Sequence, residues 1–586
     1  MAAHRGRIVR LFVQLLVFSL VSAAAGATPV TLAPVTAKNG MVVAAHPQAA
    51  EAGIAILKAG GNAIDAAVAT SLAVGVAEPY GSGLGGKLMM LYYEAKSGKT
   101  YAVDAMDAAG SVNVAAYLKR PEEDRSYGYG SVCVPGLGAG LWAAHQKWGI
   151  KKWADDVQPA IALARGGFRV LEKSRELMAE QERKLRRGDP EMARLYLPDG
   201  QLPVVGTLLK NEDLARTLEA YAARGRDGFY RGAIAEKIIA ASRKGGGVLT
   251  LGDLARYEAR ITEPMQAEFR GHVLMCAPPP ASGAALFLPI MKALENDAFD
   301  GGPLRTAANL DKIGRVWRVV SPEINRAIAD APESRFLFEK LLAGDSIANI
   351  RAKAFEHEQK KRKVVRTGRA DSGQRAAVEW TRGEFSSFDE SPMAATTHFI
   401  VADREGNVVC VTQSQSLHFG AGVVPPGTGV VMNDSMSNFT YTDAKSLNFV
   451  APGKRPRSTI APTIVLRNGK PEFALGIPGA SRIPTALLQV LLDHLALNRS
   501  LAEAIGDTRV HYSAPFRRDE VETFEAEQSF PHQESAALQR LGWKVVLPEP
   551  AGTGHHFGGI NAIEFNANGT MTGYADPRRT NLAVGW

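Results

Sequence analysis

The chain of 586 residues is long enough for a large hydrophobic core and more than one layer of secondary structure. Its 46% hydrophobic and 22% charged residues are typical of a folded globular protein. The net charge of +8 is modest, and the basic runs lack interleaved aromatic residues, which argues against nucleic-acid binding.

The first residues have the pattern of an export signal. Three arginines precede an apolar run from Leu11 to about Ala25, and a small-x-small cleavage motif ends at Ala27. The run is shorter than the roughly 20 residues that a membrane-spanning helix needs. We therefore expect removal of residues 1–27, with cleavage after Ala23 as the alternative. The mature protein is expected to be exported, periplasmic or secreted, without a membrane anchor.

Helical and strand patterns alternate along the chain. Two helices are predicted around Gly60-Gly61-Asn62, with Asn62 as the cap of the second helix. A hairpin at Ser97-Gly98 and further helices follow, and residues 300–362 are predicted to be mainly helical. The polar segment of about 365–395 lacks periodicity and is typical of a linker. Strands are then predicted in THFIVAD, NVVCVTQS, GVVMND, PTIVLRN, PEFALGI and NAIEFNANGTMTGYAD.

The segment GSGLGGKL, residues 81–88, matches the dinucleotide fingerprint and most of the phosphate-loop pattern. Both motifs require a strand before the glycines and a helix after them. Here a predicted helix precedes and a predicted strand follows, and Leu88 replaces the hydroxyl residue of a phosphate loop. We therefore predict a tight turn that lets backbone segments approach closely, and no nucleotide site.

Cysteine and histidine usage gives no motif for a metal site or a disulfide framework. Cys133, Cys276 and Cys410 are few and scattered, so we expect buried free thiols. The sequence contains no HExxH and no CxxC, and His555-His556 has no partners at ligand spacing. We expect neither a metal nor a cofactor.

Thr396 stands in SPMAATTHFIVAD, at the junction of the linker and a strand. Threonine is common in strands, so a purely structural role is one interpretation. The other interpretation is chemical. If the chain were cut between Ala395 and Thr396, the new α-amino group, with a pKa near 8, would act as the base for the threonine hydroxyl.

From about Val35 to its C-terminus the chain resembles the γ-glutamyltranspeptidase (glutathione hydrolase) family. The resemblance rests on segments that occur in the family's order. They include GMVVAAHPQAAEAGIAILKAGGNAIDAAVA, GSGLGG, VPGLGAGLW, PAIALARGGF, DLARYEARITEPM, TTHFIVADREGNVVCVT, FGAGVVPPGTGVVMND, GKRPRSTIAPTIV, GIPGASRI and DPRR.

The resemblance implies an α+β fold, the four-layer αββα sandwich of the N-terminal-nucleophile hydrolases. It also implies a precursor that cuts itself before Thr396. The pieces would be a large subunit of residues 28–395 and a small catalytic subunit of residues 396–586, which stay together as a heterodimer. The expected substrate is a small amide or peptide.

The resemblance further implies the catalytic residues. Thr396 would be the nucleophile, and its α-amine the base after cleavage. Thr412 and Ser414 fall where the family has hydroxyls that support the nucleophile. The backbone N–H groups of Gly479 and Ala480 would form the oxyanion hole, where the family more often has two glycines.

The substrate-binding positions depart from the family pattern. The family's D-x-R-E segment reads DAMD here, so Met106 replaces the carboxylate-binding arginine. The ammonium-binding aspartate maps onto Asn438, and a nearby asparagine maps onto Ser416. Hydroxyls are still expected from Ser435, Ser458 and Thr459. Charged residues that could compensate are Asp434, Asp107, Lys87 and Arg457. We therefore expect an acyl donor other than glutathione, as in the family branches that include cephalosporin acylases.

Two alternatives remain open at this point. The first is a conventional γ-glutamyl hydrolase or transpeptidase that acts on glutathione with a rebuilt pocket. The second is an uncleaved, inactive binding relative that keeps only the fold, against which the retained TTH, GNVVCVT and GIPGASRI segments argue.

Overall fold

A computed structural model describes residues 30, 32–187, 189–299, 304–367, 394–513, 522–547 and 557–586. The expected signal segment 1–27, nearly all of the expected linker 365–395 and the His555-His556 pair lie outside the described residues.

The described strands are β1 (Val35–Ala37), β2 (Gly40–Ala44), β3 (Lys87–Glu94), β4 (Lys99–Ala105), β5 (Phe168–Arg169), β6 (Leu208–Leu209), β7 (Arg260–Thr262), β8 (Met265–Phe269), β9 (His272–Cys276), β10 (Ala394–Asp403), β11 (Val408–Leu417), β12 (Thr463–Arg467), β13 (Lys470–Gly476), β14 (Val510–Ser513), β15 (Thr523–Ala526), β16 (Lys544–Val546), β17 (Asn561–Phe565), β18 (Met571–Ala575) and β19 (Leu582–Gly585).

The described α-helices are α1 (Pro47–Lys58), α2 (Ala63–Ala77), α3 (Val114–Tyr117), α4 (Leu137–Trp148), α5 (Trp153–Gly166), α6 (Glu172–Glu180), α7 (Glu182–Arg187), α8 (Pro190–Tyr196), α9 (Glu212–Arg224), α10 (Asp227–Tyr230), α11 (Gly232–Lys244), α12 (Leu251–Arg256), α13 (Gly283–Leu294), α14 (Ala307–Ala327), α15 (Ser334–Leu342), α16 (Gly344–Thr367), α17 (Arg482–Leu495), α18 (Leu501–Gly506) and α19 (His532–Arg540).

Two seven-stranded sheets form the centre of the fold. Their strand orders are β19-β2-β10-β11-β3-β4-β7 and β1-β18-β17-β13-β12-β9-β8. Neighbouring strands run antiparallel in both sheets. Strands β10 and β11 lie next to each other within the first sheet and are joined by a tight turn at Glu405–Asn407.

Alternation along the strands divides the core into layers. On β10, Phe399 and Val401 join the core beneath the helices, whereas Ile400 and Ala402 join the core between the two sheets. Successive strand residues point to opposite faces, so a strand buried on both faces carries apolar residues at every position. This explains the unbroken apolar run Phe399–Ala402.

Helices cover the outer face of each sheet. Helices α1, α2, α4, α5 and α9 share a core with the first sheet, and α13, α14 and α17 share a core with the second sheet. The order of layers is therefore helix, sheet, sheet, helix, which confirms the predicted αββα sandwich. Within the described ranges, we find no helix with both the length and the hydrophobicity needed to span a bilayer.

The local predictions that fall on described residues are confirmed with one exception. Asn62 caps α2 by accepting hydrogen bonds from the backbone of Ile64 and Asp65. All three cysteines are buried and free. GVVMND, predicted as a strand, is buried coil, because its backbone bonds to loops instead of a strand ladder: Asn433 N donates to Gly85 O at 3.0 Å.

Candidate active site

Thr396 lies at an irregularity in the pairing of β10 with β11. Ala395 pairs with Ser416, and Thr397 pairs with Gln413. Two residues of β11, Ser414 and Gln415, therefore lie opposite the single residue Thr396. Such a bulge bends the strand and redirects side chains. Thr396 itself is only 5% exposed.

Two hydroxyl groups converge on the carbonyl oxygen of Ala395. Thr396 Oγ1 lies 2.7 Å from this oxygen. Ser414 Oγ donates a hydrogen bond to the same oxygen and lies 3.3 Å from Thr396 Oγ1. Ser414 also accepts a hydrogen bond of 2.9 Å from the backbone N–H of Ser416. The structure thus brings Thr396 and Ser414 together at the peptide bond between residues 395 and 396.

Glu78 anchors the residue that follows Thr396. The hydroxyl of Thr397 donates to Glu78 Oε2 at 2.9 Å. Glu78 also accepts hydrogen bonds from Tyr80 at 3.0 Å and Thr580 at 2.9 Å, and burial raises its pKa. Glu78 is not among the site residues predicted from the sequence. The available signal was an acidic residue directly after the apolar helix α2, where a charge needs a partner.

Thr412 contacts His398, on the neighbouring strand. Thr412 Oγ1 lies 2.9 Å from His398 Nδ1, and Cys410 Sγ lies 3.7 Å from Nε2. His398 is fully buried, and burial lowers its pKa to about 3, so the imidazole is neutral at physiological pH. Of the two hydroxyls expected to support Thr396, Ser414 therefore lies against it directly, and Thr412 lies against the next histidine along β10.

The Gly479-Ala480 pair forms the turn before α17. Their φ angles are 142° and 53°, so Ala480 occupies the left-handed region that favours glycine. Thr459 Oγ1 donates to Ala480 O at 2.9 Å, and Arg482 N donates to Gly479 O at 2.9 Å. Strain held at such a turn is a common feature of functional sites. The expected oxyanion-hole residues are thus joined to Thr459 of the expected pocket.

Lys87, on β3, is fully buried beside β11. Lys87 Nζ donates hydrogen bonds to Ser416 and, at 2.9 Å, to Ser435. The two serine hydroxyls lie 2.8 Å apart. Asp107 Oδ2 accepts from Ser435 and lies 3.8 Å from Lys87 Nζ. Burial lowers the pKa of Lys87 and raises that of Asp107 to about 7.

Met106 and Asn438 stand at the two positions where the resemblance implies charged, substrate-binding side chains, and both are neutral residues. Met106 is fully buried in an apolar cluster that includes Met89 and Ile460. Asn438 donates to the backbone carbonyl of Arg457 at 3.3 Å, one residue before Ser458. Ser458 is 7% exposed, and its backbone N–H donates to Pro280 O at 3.2 Å.

The same fold is found in the solved structure of an acylase. The cephalosporin acylase from Bacillus halodurans matches with a TM-score of 0.81 and 26% identity, over 97% of this chain and 99% of that chain. The αββα sandwich defines the chain as an N-terminal-nucleophile hydrolase.

The sequence comparisons identify the family. Residues 49–586 match the sequence profile described as Gamma-glutamyltranspeptidase. The glutathione hydrolase proenzyme of Pseudomonas sp. (strain A14) is 31% identical over 574 residues, 94% of this chain and 95% of the relative. The Acylase ACY 1 proenzyme of Pseudomonas sp. (strain V22) is 34% identical over 557 residues, 92% of each chain. The chain belongs to the γ-glutamyltranspeptidase family and is an amidohydrolase-type enzyme of that family.

Proposed function

We propose that this protein is a self-processing amidohydrolase and acyltransferase whose nucleophile is Thr396. The observation that carries the proposal is the position of the Thr396 hydroxyl, 2.7 Å from the carbonyl oxygen of Ala395 and beside Ser414. Both similar relatives named above are proenzymes, which supports cleavage of this chain as well.

The proposed cut begins with attack of Thr396 Oγ1 on the carbonyl carbon of Ala395. The C–O bond forms, the C–N bond to Thr396 breaks, and the hydroxyl proton passes to the departing nitrogen. Water then hydrolyses the ester. The products are a chain ending in the Ala395 carboxylate and a chain beginning with the free amine of Thr396. Ser414 stabilises the developing oxyanion, because its hydroxyl already donates to that oxygen.

The same threonine then acts on substrates. The α-amine of Thr396 accepts the hydroxyl proton while Oγ1 attacks the carbonyl carbon of a substrate amide. The C–N bond of the substrate breaks, and the α-amine passes the proton to the leaving amine. The backbone N–H groups of Gly479 and Ala480 are proposed to bind the oxyanion. Water or an acceptor amine resolves the acyl-enzyme.

Residues 28–395 and 396–586 are proposed to remain together as large and small subunits. Export after removal of residues 1–27 is part of the same proposal.

The proposed donor lacks the amino acid head group of glutathione. In the mapping given above, its ammonium would lie near Asn438 and Ser416, and the hydroxyl of Ser416 already accepts a hydrogen bond from Lys87. Met106 and Asn438 provide no opposite charge for an α-carboxylate or an α-ammonium.

A series of three anilides tests this donor class. γ-Glutamyl, glutaryl and butyryl p-nitroanilide differ stepwise, because glutaryl lacks only the α-amino group and butyryl lacks the carboxylate as well. We expect kcat/KM for the glutaryl or butyryl donor to exceed that for the γ-glutamyl donor by at least about tenfold, or 1.4 kcal/mol. A preference for the γ-glutamyl donor would favour the alternative, a conventional glutathione hydrolase. A chain that stays uncut and inactive on all three donors would favour a binding relative.

A further inference from the structure

Asp65, His145 and Asp156 meet inside the helical layer outside the first sheet. Asp65 belongs to the first turn of α2, His145 to the last turn of α4 and Asp156 to the first turn of α5. Their side chains are buried, with relative exposures of 0%, 6% and 0%. The proposed reaction at Thr396 makes no use of this cluster.

The donor atoms of the cluster have the spacing of a metal site. His145 Nε2 lies 3.2 Å from Asp156 Oδ2 and 3.7 Å from Asp65 Oδ1. The carbonyl oxygen of Lys151 lies 3.2 Å from the same nitrogen. The three side-chain donor atoms all lie within 4.8 Å of one another. Ligand atoms around tetrahedral Zn²⁺, at bond lengths near 2.05 Å, are about 3.3 Å apart.

The carboxylate of Asp156 is not satisfied by the surrounding protein. Among the residues that the structure describes, neither oxygen of the Asp156 carboxylate makes a hydrogen bond, and Oδ2 lies 3.2 Å from His145 Nε2. Asp65 is held in place, because Oδ1 accepts from Ile150 N at 3.0 Å and Oδ2 accepts from Asn62 N at 2.9 Å. One imidazole cannot neutralise two buried carboxylates even when protonated, and uncompensated buried charge is strongly unfavourable.

We propose that this cluster binds a divalent transition-metal ion, Zn²⁺ in the first instance. His145 Nε2, Asp65 Oδ1 and the Asp156 carboxylate are the side-chain ligands, and the Lys151 carbonyl is the fourth donor. One imidazole with carboxylates suits Zn²⁺ better than Ca²⁺ or Mg²⁺, which prefer oxygen ligands only. Four protein donors close the coordination sphere, which is typical of a structural site. The ion ties α2, α4 and α5 together.

The loop that carries Lys151 reaches the protein surface. Ile150, the preceding residue, is 67% exposed. The proposed fourth donor is therefore one residue away from a solvent-exposed position.

Binding is tested with the full-length protein after treatment with a chelator. Calorimetric titration with Zn²⁺ is expected to give one ion per chain and to raise the midpoint of thermal unfolding. Asp156→Asn, which preserves shape, is expected to weaken affinity at least about tenfold. Asp155→Asn is the matched control, because Asp155 is the exposed neighbour on the same helical turn, and it should bind as the wild type does.

A Co²⁺ titration of the wild type decides the question even if the variant misfolds. Co²⁺ in a site of this geometry gives visible d–d absorption, and this absorption disappears when Zn²⁺ displaces the Co²⁺ ion. Neither Zn²⁺ nor Co²⁺ binding by the wild type, or binding unchanged in a folded Asp156→Asn protein, would overturn the proposal. In that case the cluster is a metal-free structural contact between α2, α4 and α5. The readout does not depend on activity of Thr396.

Discussion

The hydroxyl oxygen of Thr396 lies 2.7 Å from the carbonyl oxygen of Ala395, across the peptide bond that we propose is cut. Ser414 donates a hydrogen bond to the same carbonyl oxygen from the adjacent strand. The bulge between β10 and β11 produces this meeting, because it places Ser414 opposite Thr396 at a point where the regular register ends. In the proposed reaction, the Thr396 hydroxyl and a polarising donor are therefore in place before cleavage.

Replacing Ser414 with alanine should slow chain cleavage. The substitution removes a hydrogen bond to the oxygen that becomes negatively charged, and the loss of one such donor costs about 100-fold to 1,000-fold in rate. The measurement is the fraction of two-chain protein against time, read from denatured mass. Thr412→Val is the matched control on the same strand, because its hydroxyl lies against His398, and it should slow cleavage less. Equal rates for Ser414→Ala and wild type would contradict the role.

Gly81→Ala should also impair cleavage, although Gly81 takes no part in the chemistry. A Cβ at this position would lie 2.6 Å from Thr397 Oγ1, which anchors the strand start to Glu78. Displacement of Thr397 would move the hydroxyl of Thr396 away from the carbonyl group of Ala395. Gly166→Ala is the control, since a Cβ there meets nothing within 4 Å. Cleavage of Gly81→Ala at the wild-type rate would show that the close approach is dispensable.

Replacing Lys87 with methionine should destabilise the protein. The change leaves Asp107 buried without its cation, and breaking a buried pair in this way costs about 3–5 kcal/mol. Urea denaturation of the single variant and of Lys87→Met combined with Asp107→Asn measures the effect. We expect the second change to recover part of the loss. Identical stability of wild type and Lys87→Met would show that the pair contributes nothing.

His398 should make the fold sensitive to acid. Burial lowers the pKa of His398 to about 3 from an ordinary value of 6.5. Between these values the unfolded chain binds the proton and the folded chain does not, so stability falls as pH decreases from 6.5 towards 3. In His398→Gln this contribution to the slope should disappear. The comparison is the midpoint of urea unfolding against pH, and parallel curves for the two proteins would argue against a neutral buried imidazole.

The sequence predicted most helices and strands, and the family resemblance implied their αββα layers, but neither could predict the contacts between distant segments; the role of Thr396 stays a prediction. The apolar runs around Phe399 and the Asn62 cap follow from local pattern, which is why both predictions are confirmed. The bond between Lys87 and Ser435 joins positions 348 residues apart, and only the three-dimensional fold brings them together. Asp65, His145 and Asp156 lack the spacing of a metal motif for the same reason. GVVMND has the composition of a strand, but loops take its hydrogen bonds.

The most direct test of the account is the denatured mass and N-terminal sequence of the purified protein, beside Thr396→Ala and Thr396→Ser variants. We expect the wild type to give two chains, the smaller one beginning at Thr396 and ending at Trp586. Thr396→Ser should cleave at the same bond, because serine keeps the hydroxyl, and Thr396→Ala should remain one chain. A wild-type protein that stays uncut, or a Thr396→Ala protein that is cut at the same bond, would contradict Thr396 as the self-processing nucleophile.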